Sequence, residues 1–392
     1  MSAASALPGE ASVVIVGGGV MGTSIAFHLA EAGVVDVLLL ERDLLGGGST
    51  SKAAGGVRAQ FSDPVNIALG ARSLDAFERF PERPGQAIDL HQVGYLFLLT
   101  SPEEVAVYEQ SVALQNSMGV PTLMISAAEA ALLSPGISTG DVLAAAFHPR
   151  DGFCSPESVV LGYASAARRL GAAIRTGIAV TSIDTQDGLI RAVRTSSGTV
   201  RTSTVICAAG PWSAAVGEMV GVSLPVEPVR RQILITEPLA AELLEKLPTT
   251  MPMTIDAAST FYLHREGPGV LFGMSYRDEL PGFRLDYSED WLPDLMAAAE
   301  RRCPALLDVG IAHRWSGLYE VTPDHNALIG ESSRAPRFLY ATGFSGHGFL
   351  QGPAVGEVIR DLFLRRTPVI DVSPLTADRF EAGVLRGEVN IV

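Results

Sequence analysis

Three glycines near the start of the chain constrain its fold more than any other feature. Gly17, Gly19 and Gly22 form a G-x-G-x-x-G motif. The motif lies between an apolar run at residues 13–16 and a helical pattern at residues 24–31. The first glycine permits a tight turn, the second lets the backbone approach a pyrophosphate, and the third allows the helix to pack closely on the strand. Because the free N–H groups at the start of a helix favour phosphate groups, the motif predicts a β-α-β unit that binds a dinucleotide.

The residues after the second predicted strand favour FAD over NAD. Glu41 closes an apolar run at residues 37–40 and stands 19 residues after Gly22, where an acid can accept hydrogen bonds from ribose hydroxyls. Arg42 follows it, and residues 49–56 are rich in small and hydroxyl side chains that can wrap a diphosphate and a flavin edge. Alternatively, the glycine motif is a purely structural turn, and residues 49–56 form a solvated loop.

Composition excludes several classes of protein. The net charge of −14, from 29 basic and 43 acidic residues, argues against a nucleic-acid binder. The three cysteines lie far apart, so we expect neither a metal site nor a disulfide framework, and a cytoplasmic location is the simplest interpretation. Residues 13–30 are apolar but contain four glycines, which favours a buried strand, turn and helix over a membrane span.

The pattern along the chain predicts a mixed α/β protein. Helices are predicted at residues 24–31, 69–80, 102–118, 155–170, 291–303 and 352–364. Strands are predicted at residues 13–16, 37–40, 93–100, 172–176, 180–184, 190–195, 200–208, 232–236, 260–264, 270–274 and 339–342. The middle of the chain is richer in strands than its ends, which indicates a nucleotide domain of separated segments with a second domain inserted.

Seven segments together carry a family resemblance. They are VVIVGGGVMG (13–22), ER (41–42), STSKAAGGVRAQFS (49–62), DGFCSPES (151–158), VICAAGPWS (205–213), GLYEVTPDHNALIG (317–330) and ATGFSGHGFLQGPAVGE (341–357). The chain resembles the D-amino acid oxidase superfamily of flavoproteins, nearest the branch of the sarcosine oxidase β-subunit, glycine oxidase and proline and dimethylglycine dehydrogenases. The resemblance implies a Rossmann-like FAD-binding domain (1–85, 150–225, 320–392) and a substrate domain with a large, mostly antiparallel sheet (86–149, 226–319).

The resemblance also implies which residues contact FAD. They are Gly17, Gly19, Val20, Met21, Gly22, Glu41, Arg42, Ser49, Thr50, Ser51, Ala54, Gly55, Gly56, Val180, Ala209, Gly210, Trp212, Gly343, Gly346, His347, Gly348, Phe349 and Leu350. The N–H groups of the GFSGHGF segment can converge and stabilise negative charge on the flavin. Some monomeric sarcosine oxidases bond FAD through a cysteine, and the matching position here is Gly317, so we expect non-covalent FAD.

The implied reaction is oxidation of the C–N bond of a secondary or N-substituted amino acid. A hydride passes to flavin N5, and the imine is then hydrolysed. The candidate catalytic residues are Arg58, Tyr262, Tyr319 and His347, with His347 either a base or a packing residue beside the flavin. Arginine binds carboxylates bidentately, so Arg230, Arg231, Arg277 and Arg314 are further candidates for the substrate carboxylate.

Two departures from the family leave the electron acceptor and the substrate open. Leu271 stands where some oxidases carry a lysine that assists reaction with oxygen, and Leu350 replaces a substrate-binding lysine. The acceptor is therefore oxygen or another molecule, and a bulkier or more apolar substrate is plausible. The alternatives are a flavoprotein subunit that passes electrons to a protein partner, and an assembly factor with structural FAD. The sequence is compatible with a homo-oligomer and with a flavoprotein subunit of a larger complex.

Overall fold

The computed structural model describes residues 7–390. The strands are β1 (Val13–Val16), β2 (Val37–Leu40), β3 (Gly56–Val57), β4 (Tyr95–Leu99), β5 (Leu123–Ile125), β6 (Ala144–His148), β7 (Gly152–Phe153), β8 (Ala173–Arg175), β9 (Val180–Gln186), β10 (Leu189–Thr195), β11 (Gly198–Arg201), β12 (Val205–Cys207), β13 (Glu227–Thr236), β14 (Met253–Asp256), β15 (Tyr262–Glu266), β16 (Gly269–Met274), β17 (Ile311–Val321), β18 (Leu328–Glu331) and β19 (Phe338–Thr342). The helices are α1 (Val20–Glu31), α2 (Pro64–Glu78), α3 (Pro102–Ser117), α4 (Ala127–Leu133), α5 (Pro156–Arg169), α6 (Ser213–Glu218), α7 (Ala241–Lys246), α8 (Leu292–Arg302), α9 (Gly348–Phe363) and α10 (Asp378–Glu381).

A six-stranded sheet carries the glycine motif. Its order is β18-β19-β12-β1-β2-β8, and every neighbouring pair is parallel except β18–β19. All residues of β1 and β2 are buried, as strands covered on both faces require. Helix α1 packs against α5 and α9 on this sheet. Both strands have the bounds predicted from the sequence, and the chain crosses between them through α1.

An eight-stranded sheet forms the second large layer. Its order is β17-β13-β16-β15-β14-β4-β6-β5, and it is antiparallel except for the pair β14–β4. Trp291 and Leu295 at the start of α8 belong to the buried cluster on one face of this sheet. The predicted mixed α/β class, with a large and mostly antiparallel sheet, is confirmed.

One predicted strand is wrong. Residues 200–208 form two strands that lie in different sheets: β11 pairs with β10, whereas β12 pairs with β1 and β19. The hydroxyl of Thr202 accepts a hydrogen bond of 3.3 Å from the N–H of Thr204 and donates one of 3.1 Å to its carbonyl oxygen. Threonine hydroxyls make such local turns without glycine or proline, so the run of β-branched residues concealed the break.

Three helices begin earlier than predicted. Helix α1 begins at Val20 and includes Gly22, α2 begins at Pro64 behind the N-cap Asp63, and α9 begins at Gly348. The last helix was predicted to start at Gly352, but it starts four residues earlier and contains Pro353 in its interior. Between residues 7 and 390, no helix is long and apolar enough to cross a membrane.

Candidate active site

One cavity of about 460 Å³ is lined by residues of both large sheets. Most of the predicted site residues line it: Gly17, Gly19, Val20, Met21, Glu41, Arg42, Ser49, Thr50, Ala54, Gly55, Gly56, Arg58, Val180, Ala209, Gly210, Trp212, Tyr262, Tyr319, Gly346, His347, Gly348, Phe349 and Leu350. Three predicted residues lie outside this lining, namely Gly22, Ser51 and Gly343. The cavity therefore joins the glycine motif at one end to the predicted tyrosines at the other.

The turn after β1 has no side chains at the glycine positions, and the neighbouring backbone leaves no space for them at Gly17 and Gly22. Gly17 has a φ of +112°, and a Cβ on it would overlap the carbonyl oxygen of Ala208. A Cβ on Gly22 would overlap the carbonyl oxygen of Gly17. Gly22 thus acts by letting α1 pack against the turn, as the motif predicts, although it does not face the cavity.

The acid and the hydroxyl predicted near this turn are held in place by backbone hydrogen bonds. The Glu41 carboxylate accepts one of 2.7 Å from the N–H of Gly18 and one of 2.8 Å from that of Asp43. The hydroxyl of Thr50 accepts one of 3.1 Å from the N–H of Val20. An acid fixed beside a bare glycine turn at a helix N-terminus matches the donor and acceptor groups of an adenosine diphosphate, so these residues fit FAD.

Aromatic and basic groups stack at one wall of the cavity. The guanidinium of Arg42 lies 3.9 Å from the ring centroid of Trp212. On that indole stacks the ring of Phe283, with centroids 5.6 Å apart. Arg42 therefore contacts the face of an aromatic ring and also forms an exposed ion pair with Asp43.

The GFSGHGF segment packs against β17. Gly346 has a φ of +103°, and a Cβ on it would lie 2.5 Å from the ring of Tyr319. The ring of His347 lies edge-on to Phe61 at 5.1 Å, and its Nε2 is buried without a hydrogen-bond partner. Burial, and then the charge of Arg58, lower the pKa of His347 well below its usual value, so the imidazole is neutral and packed at neutral pH.

Three tyrosines line the end of the cavity formed by the eight-stranded sheet. Tyr262 and Tyr319 were predicted, whereas Tyr95 on β4 was not. Burial raises the pKa of all three phenols. They therefore remain protonated at neutral pH and present O–H donors. Tyr95 carries no sequence signal of its own, since its strand reads only as an apolar run.

Arg58 lines the cavity, but backbone carbonyls hold its guanidinium. Its Nη1 donates to the carbonyl oxygen of Gln60, and its Nη2 donates to that of Asn390 at 2.6 Å. The rings of Phe61 and Phe97 lie 4.3 and 5.4 Å from its Cζ. The side chain is fixed as a buried cation, with little freedom to follow a substrate.

The four other candidate arginines have different surroundings. Arg230 is buried and forms a 3.1 Å ion pair with Glu279. Arg314 and Arg277 are exposed and lie outside the lining of this cavity, although Arg277 lines a second cavity beside it. Arg231 lines the cavity, and burial lowers its pKa from the usual value.

Arg231 forms no ion pair with an acidic side chain in the described part of the chain, although the charge of Glu279 opposes the lowering of its pKa. Its Nη1 donates to the carbonyl oxygen of Arg230 at 3.0 Å, its Nε is buried without a partner, and its Cζ lies 5.3 Å from the Tyr319 ring. Arg231 and Tyr319 also line a second cavity of about 610 Å³. A guanidinium whose usual pKa exceeds 12 stays charged despite burial, so this end of the cavity suits an anion.

Gly317 and Leu350, two positions at which the sequence departs from related enzymes, line the cavity. A Cβ on Gly317 would lie 2.5 Å from the Cβ of Lys52. Leu350 lines the cavity at the start of α9, whereas Leu271 is buried in a cluster of the eight-stranded sheet. No space for a linking side chain exists at position 317 without movement of Lys52.

Comparison with known proteins gives a family match. The model of the DAO family, described as FAD dependent oxidoreductase, matches residues 12–362. Mouse mitochondrial dimethylglycine dehydrogenase is 30% identical over 388 residues, which are 95% of this chain and 44% of that protein. The chain thus spans less than half the length of this curated relative.

Solved structures match over nearly their full length. The L-proline dehydrogenase from P. horikoshii has a TM-score of 0.91 and 32% identity, covering 97% of this chain and all of that one. Glycine oxidase from Geobacillus kaustophilus has a TM-score of 0.83 and 26% identity, covering 94% of this chain and 98% of the other. The cavity described above therefore lies in a fold shared with amino-acid-oxidising flavoproteins.

Proposed function

Because this chain belongs to the DAO family of FAD dependent oxidoreductases, we propose that it oxidises the C–N bond of a secondary or otherwise N-substituted amino acid. The products are a carbonyl compound and an amine, formed when the oxidised bond is hydrolysed. Two of the similar proteins are named for N-substituted amino acids, dimethylglycine and proline, which supports this class. Glycine oxidase is named for a primary amino acid and supports only amino-acid oxidation.

FAD is proposed to lie along the cavity. The glycine turn and Glu41 would hold the adenosine end, residues 49–56 the diphosphate, and the GFSGHGF segment the flavin. When bound, FAD supplies the acceptor for a hydride from the carbon beside the amine nitrogen. The FAD domain would comprise 1–85, 150–225 and 320–392, and the substrate domain 86–149 and 226–319. This division is supported by the sheets, because the six-stranded sheet draws its strands from the first set and nearly all of the eight-stranded sheet comes from the second.

The observation that carries the proposal is the unpaired guanidinium of Arg231. Removing it from water without an acidic partner is costly, and a substrate carboxylate would supply that partner with charge-assisted hydrogen bonds. We therefore assign the carboxylate anchor to Arg231 and not to Arg230, Arg277 or Arg314. Arg58, held by two carbonyls, would add positive potential without direct binding.

The neighbouring groups orient the amine. The protonated phenols of Tyr262 and Tyr319 can donate hydrogen bonds to a bound substrate, and packing around them excludes water. The second cavity beyond Arg231 and Tyr319 gives room for a substituent larger than methyl. Val107 and Val229 contribute apolar surface to it, and charged side chains also line it, namely Glu103, Glu104, Arg277 and Glu279. A bulky, partly apolar N-substituted amino acid fits these walls better than glycine.

The test is anaerobic titration of the purified yellow protein with a panel of amines. The panel contains glycine, sarcosine, proline, D-amino acids and longer N-carboxymethyl amines. We expect secondary amino acids to bleach the visible flavin band, and admission of air then reports whether oxygen is the acceptor. If no member bleaches a band that dithionite does bleach, the proposal fails. Acid precipitation should leave the pellet colourless, because we expect FAD to be non-covalent.

A second candidate is a flavoprotein that delivers electrons to a protein partner. Leu280 and Phe283 are 70% and 53% exposed, and Phe283 stacks on Trp212 at the wall of the cavity. Exposed Asp286 and Glu289 follow in sequence, which favours a redox protein with a basic docking face. Slow return of the flavin colour in air, together with fast return on adding a dye acceptor, would favour this candidate.

A further inference from the structure

Glu320 is an acidic residue that lines the cavity and that the sequence did not single out. It follows Tyr319 on β17, and its carboxylate lies between two glycine-rich segments. A Cβ on Gly348 would lie 3.4 Å from its Oε1, and a Cβ on Gly210 would lie 3.8 Å from its Oε2. The carboxylate therefore faces the part of the cavity proposed for the flavin.

Glu320 accepts hydrogen bonds from N–H groups of the GFSGHGF segment that we expected, from the sequence, to face the flavin. Its Oε2 accepts one of 2.8 Å from the hydroxyl of Thr342 and one of 3.0 Å from the N–H of Gly343. The N–H of Phe344 is a further donor to the carboxylate. The negative charge stabilised by the first N–H groups of the GFSGHGF segment is thus that of Glu320.

The charge of this carboxylate is not fixed by a neighbouring cation. Burial raises the pKa of Glu320 to about 7, although the hydrogen bonds from Gly343, Thr342 and Phe344 oppose the shift. The carboxyl therefore changes its charge near neutral pH, which is unusual for an acidic side chain.

Two titratable neighbours of Glu320 have pKa values that burial moves away from neutral pH, and two charged groups on the adjacent strand are exposed or ion-paired. On β12, burial raises the pKa of Cys207 to about 11. In the GFSGHGF segment, burial keeps His347 neutral. On β13, Glu227 is exposed and Arg230 is ion-paired. Among these groups, Glu320 both lines the cavity and has a pKa near neutral. His325, on the loop after β17, lines the second cavity with Tyr319.

We propose that Glu320 is the proton-accepting partner of the cofactor, taking up a proton from solvent when the cofactor is reduced and releasing it on reoxidation. The inference rests on the proposed position of FAD in this cavity. A hydride adds two electrons and one proton to the cofactor, so its charge becomes more negative by one. That charge disfavours an ionised carboxylate beside it, because like charges repel strongly in a poorly solvated site. The carboxylate of Glu320 gains an O–H bond, and the site keeps its total charge.

The test is the pH dependence of the flavin midpoint potential in wild-type protein and in Glu320→Gln. Reduction with dithionite needs no substrate, so the result does not depend on identifying the amine. Above about pH 7 we expect wild type to take up close to two protons per two electrons, and Glu320→Gln close to one. The wild-type potential should then fall with pH about twice as steeply as that of the variant. The two curves should approach each other below pH 7, where wild-type Glu320 is already protonated.

The exposed variant Glu227→Gln serves as the control and should follow wild type. Because Glu320→Gln could impair folding, proton release and uptake by the wild-type protein alone are measured with an indicator dye in weak buffer. Uptake of only about one proton per FAD at pH 8, or equal slopes for wild type and Glu320→Gln, would overturn the inference and leave the proposed function standing. A chain that binds no FAD would overturn both.

Discussion

The two ends of the cavity are built in different ways. At the glycine turn, the backbone N–H groups of Gly18 and Val20 are bound by Glu41 and Thr50, which follow the motif in the same stretch of the chain. At the other end, side chains converge from four strands that are far apart in sequence, namely Tyr95, Arg231, Tyr262 and Tyr319. A site built from backbone groups requires particular residues at fixed spacings along the chain. A site built from side chains requires only that the folded sheet brings those side chains together. The first is therefore visible in the sequence as a motif, whereas the second is visible only as separate candidate residues whose meeting depends on the fold.

The largest effect should come from adding atoms to the glycine turn. Gly22→Val places side-chain carbons where the carbonyl oxygen of Gly17 lies, so either the turn or α1 must move. We expect loss of FAD binding by more than about 10²-fold, since the motif requires close backbone approach. FAD content after purification and re-titration of the apoprotein measure it. Gly140→Ala, at an exposed glycine with open space around its Cα, is the control, and equal FAD affinity in both variants would contradict the account.

Arg231→Met should weaken substrate binding at the tyrosine-lined end and leave FAD binding at the glycine turn unchanged. Loss of a charge-assisted hydrogen bond to a carboxylate costs about 1.5–3 kcal/mol, which corresponds to a rise in KM of about 10–150-fold. FAD affinity should stay close to that of wild type, because Arg231 lies on β13 in the eight-stranded sheet. Steady-state kinetics and FAD titration are compared with those of Arg314→Met, an exposed arginine. An unchanged KM would remove Arg231 from the substrate site.

Acid should weaken the support of the glycine turn through His28 on α1. Burial lowers the pKa of His28 to about 3, with the charge of Arg83 as a second cause. The folded state then binds fewer protons than the unfolded state between about pH 6.5 and pH 3. The free energy of unfolding should fall as pH falls through that window, by up to about 1.4 kcal/mol per unit.

Denaturant unfolding of the apoprotein at pH 7 and pH 5 measures this loss. His28→Gln cannot acquire that charge and should lose less stability between the two pH values. The exposed variant His313→Gln should behave as wild type. A loss in His28→Gln as large as in wild type would show that another group is responsible.

The smallest effect is expected at the contact between the two ends. The hydroxyl of Ser49 donates a 2.6 Å hydrogen bond to the carbonyl oxygen of Leu318 on β17, joining the loop at residues 49–56 to the strand of the tyrosine. Ser49→Ala should lower the free energy of unfolding by about 1 kcal/mol, with modest and similar losses in FAD and substrate affinity. Ser197→Ala, at an exposed serine, is the control. A loss confined to one ligand would show that the ends are independent.

What the sequence could predict follows the same division. Strands β1 and β2 have the predicted bounds because buried parallel strands are short, wholly apolar runs. The longest strand, β17, was not predicted, since its first four residues are exposed and Gly317 interrupts its apolar pattern. That strand carries Tyr319 and Glu320, so the acid was missed with the strand. Arg231 could be suspected only as one of several arginines, because ion pairing such as that of Arg230 depends on tertiary contacts.

We propose that a cofactor site built from backbone groups adjoins a chamber in which Arg231 selects a substrate with a carboxylate. The most direct test of this proposal is anaerobic flavin reduction by a matched pair of amines, one an N-substituted amino acid found active in the panel and the other the same amine without its carboxyl group. We predict that the amino acid reduces the flavin at a concentration at least about 10-fold lower, since the anchor is a charge-assisted hydrogen bond. Equal reduction by both members of the pair would contradict the account.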